Sequence, residues 1–185
     1  MNDPPGGSRG PVKGRAVIRG DQVEDAVLEW LRAPTLVLGV GNRLLGDDAA
    51  GSLVCERAGR AEAVDCGDAP ERYLGLAGAE WVERVLMVDA MDFGGEAGEA
   101  AFCAAGDLRE RFGTTHNSGL ALLARFIEEE YGKAVAVLGI QPSDTGFGAA
   151  LHPAVRATVD RVVAWLRRGV GERRAREMEA AWTQS

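Results

Sequence analysis

Three runs of this 185-residue chain are apolar at nearly every position: "TLVLGVG" (35–41), "RVLMVDAM" (84–91) and "AVAVLGIQP" (134–142). A strand with one solvated face alternates between apolar and polar residues. A strand that is apolar throughout must be covered on both faces. Helices above and below a parallel sheet provide that cover, and helical segments lie between the runs. "DAAGSLVCERAG" (48–59) reads as a helix stopped by Gly59, and "APERYLGLAG" (69–78) as a short helix with Pro near its start. "NSGLALLARFIEEEYG" (117–132) places Leu120, Leu123, Phe126 and Ile127 on one face, and "HPAVRATVDRVVAWLRR" (152–168) is the last clear helix. Two more strands are expected, "AEAVDCG" (61–67) and the weaker "GEAAFCAA" (98–105). The expected fold is α/β: a three-layer α/β/α sandwich around a mostly parallel, twisted sheet of about five strands.

The flanks read differently. Residues 1–15 are rich in Pro and Gly, and the segment 1–18 is expected to be disordered. Residues 19–33 form an added amphipathic helix, with Val23, Val27, Trp30 and Leu31 at helical spacing and Pro34 ending it. Residues 34–168 make one domain, and 169–185 is a polar tail, expected to be a frayed helix or disordered. The net charge of −7 argues against attraction to nucleic acid or an anionic membrane. No run approaches the roughly 18–20 apolar residues of a membrane span, and the N-terminus lacks an apolar signal core. A monomeric cytoplasmic protein without membrane insertion is expected. Cys55, Cys66 and Cys103 are odd in number and widely spaced. They are expected to be small buried hydrophobes in a reducing compartment.

In open α/β sheets, sites form beyond the carboxyl ends of the strands. The first strand runs into "GVGNRLLGDDAAG" (39–51), where Gly41 and Gly46 have the spacing of a phosphate-binding loop. Asp47 and Asp48 stand where such a loop carries Lys and Ser or Thr, which reverses the charge it accepts. Asp65 lies 24 residues after Gly41, where a dinucleotide-binding fold keeps its ribose-binding acid. The glycine pattern is wrong for that ligand, and the acid pair would repel a pyrophosphate. Further polar groups at strand ends or nearby are Asp89, Asp92, Thr114, Thr115, His116, Asn117, Gln141 and Asp144.

Each has a bland alternative. Asp47 or Asp48 can cap a helix, Asp89 can bond to backbone N–H groups, and His116 can be a satisfied loop residue. His152, before Pro153, reads as the start of a helix. Together, two or three carboxylates and one imidazole make a mixed oxygen and nitrogen site for a divalent metal. "SDTG" (143–146) contains the Asp-Thr-Gly of pepsin-like proteases, but the chain has one copy where two must face each other. HExxH, GxSxG and a Cys/His nucleophile arrangement are absent.

Five stretches, in order, resemble the nickel–iron hydrogenase maturation endopeptidases: "GVGNRLLGDDAAG", "VDCGDAPE", "VLMVDAMDFG", "TTHNSGLALL" and "VLGIQPSDTGFG". The likeness covers roughly residues 35–168 and is greatest to the branch that processes the large subunit of formate-hydrogenlyase-type hydrogenases. Ala49 and Cys66 stand where the family has Gly, and Cys66 matters if its backbone needs a positive φ. The resemblance implies an aspartic-type endopeptidase, by family classification, that removes a C-terminal extension from the hydrogenase large-subunit precursor after nickel insertion. It implies nickel contacts from Asp48, Asp89 and His116, with possible catalytic roles. Gly41, Asn42, Asp47 and Asp65 support the loop, Asp47 as helix cap and organiser. The nickel is expected to arrive with the substrate, on an enzyme that is metal-free alone. The alternatives are a non-proteolytic nickel-site assembly factor or chaperone on the same scaffold, and a small-molecule hydrolase or phosphorylase.

Overall fold

The computed structural model describes residues 17–108 and 117–183, with residues 117–118 and 172–183 described by backbone alone. In chain order the strands and helices are β1 (Ile18–Arg19), α1 (Gln22–Trp30), β2 (Thr35–Val40), α2 (Ala50–Ala58), β3 (Ala63–Gly67), β4 (Arg84–Ala90), β5 (Ala100–Ala104), α3 (Asn117–Tyr131), β6 (Ala134–Ile140) and α4 (Pro153–Thr183). Short 3-10 segments cover Gly46–Ala49, Pro70–Gly78 and Ala105–Asp107. Among the described residues the strands form one sheet in the order β1-β5-β6-β4-β2-β3. β3, β2, β4 and β6 run parallel. β5 is antiparallel to β6, and β1 to β5.

The apolar runs are buried on both faces, as their composition requires. Val37, Leu86, Val88, Ala136 and Leu138 point into one core with α1, α2 and α4. Leu36, Leu38, Val85, Met87, Val135 and Val137 point into the other, with the Pro70–Gly78 segment and α3. The result is the three-layer sandwich. α2 sits unusually close to the sheet. A Cβ on Gly51 would lie 2.0 Å from the Val88 carbonyl oxygen and 2.4 Å from that of Val40. Glycine here brings the start of α2, and the loop that feeds it, down onto β2 and β4.

Two expectations change. The sheet has six strands rather than about five, because Ile18 and Arg19, at the junction of the expected disordered segment and helix, pair with Phe102 and Ala101. Two residues carry no readable pattern. β1 is held by pairing and by Arg19, which donates to the Phe93 carbonyl at 3.1 Å and stacks over its ring. Residues 69–78 form 3-10 turns rather than an α-helix. Only Pro70 and Ala77 in that segment are buried, so no apolar stripe holds a regular helix. Of the two expectations for residues 169–185, a frayed helix or disorder, the structure has a helix: α4 continues to Thr183, Val170 is buried, and Gly169 lies against Leu31. The expected disorder of residues 1–16 lies outside the described residues. No helix among the described residues is long and apolar enough to cross a membrane.

Gly51→Ala is expected to destabilise the fold by about 3 kcal/mol or more through overpacking against backbone. Gly75→Ala, where an added Cβ meets nothing within 4 Å, should change stability by less than about 1 kcal/mol. Urea denaturation of the two variants checks the contrast, and equal midpoints would remove the proposed close contact.

Candidate active site

β2 leads through α2 to β3 on one side, whereas β4 pairs on the other side of β2. The winding direction reverses between β2 and β4, which opens a crevice at their carboxyl ends. Two carboxylates occupy it. Asp48 comes from the loop after β2, and Asp89 is the penultimate residue of β4, in register with Gly139.

The loop is closed by its own backbone. Gly41 has φ 146° and donates its N–H to Gly67 O at 2.8 Å. A Cβ there would fall 1.8 Å from the Asp48 carbonyl oxygen, so only glycine lets the loop fold back this tightly. The Asn42 N–H donates to Asp48 Oδ2 at 2.7 Å, and Asn42 Oδ1 accepts the Leu44 N–H at 2.9 Å. Asp48 is therefore oriented by backbone. Both Asp48 and Asp89 are partly buried. Burial pushes the Asp89 carboxyl up, the Asp48 charge pushes it further, and a bond from the Ala90 N–H holds it back, leaving it at about 7.

Asp47 has a different task. It is 0 % exposed. Its Oδ2 accepts the N–H groups of Ser143 at 2.8 Å and Asp144 at 3.0 Å, and its Oδ1 accepts that of His152 at 2.6 Å. Its own N–H donates to Asp144 O at 2.9 Å. The expected cap of α2 is not formed, since neither the Gly46–Ala49 segment nor α2 has a side-chain cap. Asp47 organises loops by fastening the one after β6 to the one after β2. His152 does start a helix as read, its Nδ1 accepting the Ala154 N–H at 3.3 Å.

A sequence model described as HycI, hydrogenase maturation protease, matches residues 54–168. The chain belongs to the hydrogenase maturation protease family. The hydrogenase 3 maturation protease of Escherichia coli K12 is 35% identical over 133 residues, covering 69% of this chain and 85% of that protein. The crystal structure of the NiFe hydrogenase maturation protease HycI from Thermococcus kodakarensis KOD1 superposes with a TM-score of 0.67 at 30% identity, covering 75% of this chain and 93% of that one. A crystal structure of the hydrogenase 3 maturation protease gives 0.61 at 34% identity, covering 72% and 89%.

Among the remaining rim groups of this protease, Asp65 belongs to a separate cluster. Burial alone would raise its carboxyl. Bonds from Ser52 Oγ at 2.5 Å, the Gly67 N–H at 3.0 Å and Arg43 Nη2 at 2.6 Å hold it below the usual range. It supports the loop through Arg43, which also reaches Glu56 at 3.0 Å. Gln141 was placed at the rim by its strand, but its task was not readable. Its amide oxygen accepts from Phe93 and Gly95, and its nitrogen donates to Asp92 Oδ1 at 3.1 Å, fixing the loop after Asp89.

His116, Thr114 and Thr115 lie outside the described residues, immediately before α3. Among the described residues no group of three His, Cys, Asp or Glu side chains stands close enough to hold a metal ion. Cys55, Cys66 and Cys103 are buried, reduced thiols. Burial pushes Cys66 up to about 12 and Cys55 higher still, so neither supplies a thiolate nucleophile. The substitution at Cys66 is accommodated, since the positive φ, 57°, falls on Gly67.

Two outcomes test this geometry. Asp47→Ala leaves three backbone donors without their carboxylate and is expected to cost about 3 kcal/mol or more by urea denaturation. Asp89 has a folded-state pKa of about 7, above the roughly 3.9 of a free aspartate. Between these values the folded protein keeps a proton that the unfolded chain has lost, so stability falls as pH rises through 7. Asp89→Asn should therefore melt a few °C above the parent at pH 8.5, with the gap closing towards pH 4. Parallel melting curves across this range would contradict the arrangement.

Proposed function

We propose that this protease removes a C-terminal extension from a NiFe hydrogenase large-subunit precursor after nickel insertion, and that the nickel is part of the substrate. The observation that carries the reading is the meeting of Asp48 and Asp89 in the crevice between β2 and β4, in a chain of this family. Asp48, Asp89 and His116 are the proposed nickel contacts. Two carboxylates and an imidazole suit a divalent ion, and a set this small leaves coordination positions to the precursor. The mutual repulsion of two partly buried acids is relieved by a cation between them. Nickel, when the precursor brings it, supplies a Lewis acid for the scissile carbonyl.

The chain's own groups do the rest. The Asn42 N–H fixes Asp48, and the Gln141 amide fixes the loop beyond Asp89. A carboxylate of the pair can orient the attacking water and accept its proton. The reading places the reaction in the cytoplasm, in keeping with three buried, reduced cysteines, with the enzyme monomeric and without nickel of its own.

Incubation with a nickel-loaded precursor should shorten that precursor by one fixed mass in mass spectrometry. Asp48→Ala and His116→Ala should each slow the shortening by at least about a hundredfold. Normal cleavage by both variants sinks the site assignment. A stable complex with unchanged precursor mass would favour the assembly-factor reading.

A further inference from the structure

Two exposed apolar side chains stand beside the crevice on different loops. Leu44, 61% exposed, follows β2, and Phe147, 82% exposed, follows β6. Both strands end at the same rim, since β2, β4 and β6 are parallel neighbours. The loops touch through backbone: the Gly148 N–H donates to Leu44 O at 2.8 Å.

Neither side chain sits on a loose segment. The Leu44 N–H is held by Asn42 Oδ1 at 2.9 Å. The turn carrying Phe147 is closed by Gly146 N–H to Asp144 Oδ1 at 2.8 Å and by Ala149 N–H to Gly146 O at 3.1 Å. Asp47 fastens that turn's base to the loop that carries Asp48. A phenyl ring presented to water on a bonded turn contributes nothing to the core. It has the form of a preorganised anchor, a rigid aromatic ring that loses little entropy on entering a pocket.

The surroundings select the partner's chemistry. Asp144 lies in the turn that carries Phe147, and Asp47 ties that turn to the loop that carries Asp48, so an acidic peptide is disfavoured at this rim, while the exposed Leu44 and Phe147 side chains suit an apolar pocket. The anchor is also continuous with the crevice, through Asn42, which holds both Leu44 and Asp48.

We propose that Phe147 and Leu44 dock into an apolar pocket on the folded large-subunit precursor and so determine which precursor is bound. The proposal rests on the processing reading above. In this role the pair sets recognition and leaves the chemistry at the acids unchanged.

Initial rates of shortening against precursor concentration test it. The double variant Leu44→Ser/Phe147→Ser should raise KM by about tenfold or more, with kcat within about twofold of the parent. Its melting temperature should stay within about 2 °C, because both side chains are exposed. Phe147→Trp should restore much of the affinity. Trp81→Ser removes another exposed ring, 46% exposed and just before the amino end of β4, and should leave KM unchanged. An unchanged KM in the double variant, or a fall in kcat alone, overturns the proposal. So does a parent dimer that the double variant converts to monomer, since the occupant is then a second copy. If the parent fails to shorten the precursor, the processing reading falls instead. The docking proposal is then decided by biolayer interferometry with the same precursor: about tenfold weaker binding by the double variant supports it, and equal binding overturns it.

Discussion

The Asp47 carboxylate is the interaction on which the rest of the rim depends. Burying a carboxylate costs several kcal/mol unless hydrogen bonds replace the lost water. Three backbone N–H groups from residues 143, 144 and 152 do so. The same contacts fix three things together. They hold the loop after β6, they seat the start of α4, and they tie both to the loop that carries Asp48. Gly46 belongs to this joint, since a Cβ on it would meet the Asp144 carbonyl oxygen at 2.5 Å. A neutral amide in place of Asp47 could not accept all three bonds with both of its terminal atoms, because one of them is a donor.

Three carboxylates near this rim have three fates, and counting partners explains each. Asp47 is saturated by N–H groups and serves the fold. Asp65 has Arg43 and Ser52 beside it and is held ionised at the foot of the loop. Asp89 is penalised by burial and by the charge on Asp48, offset only in part by the Ala90 N–H. A pair of acids in that condition destabilises the folded state at neutral pH. Such a cost is retained where it prepares a site, and on the proposed reading the site is one for a cation. Asp89, where burial and a neighbouring charge are least compensated, is one of the three nickel contacts that the family resemblance implies.

The layers were legible because burial on two faces imposes an unbroken apolar pattern, seen in β2, β4 and β6. The order of strands was not, since pairing between β2 and β4 leaves no local mark. Ile18–Arg19 and the continuation of α4 depend on partners distant in sequence, Phe102 and Leu31 among them. The site divides the same way. The placement of Asp48 and Asp89 at the rim was legible because strand ends are local signals. Asp47 was misread as a cap because capping is also local, whereas its partners lie 96 to 105 residues away. Arg43 carries no local signal of its task. Its meaning comes from Asp65 and Glu56, which the fold alone brings to it.

Asn42 shows how the two levels join. Its N–H orients Asp48, and its side-chain oxygen fixes Leu44. Its amide nitrogen reaches Asp68 at 3.5 Å across the mouth of β3. One residue therefore holds both the Asp48 carboxylate and the backbone that carries an exposed apolar side chain. A side-chain substitution at Asn42 removes the bonds to Leu44 and Asp68 and leaves the backbone N–H that orients Asp48, so the two tasks are separable. The loop whose glycine spacing resembles a phosphate cradle still works by close backbone approach. It presents acids in place of N–H groups because its own N–H groups are already spent on Asp48 and on closing the turn.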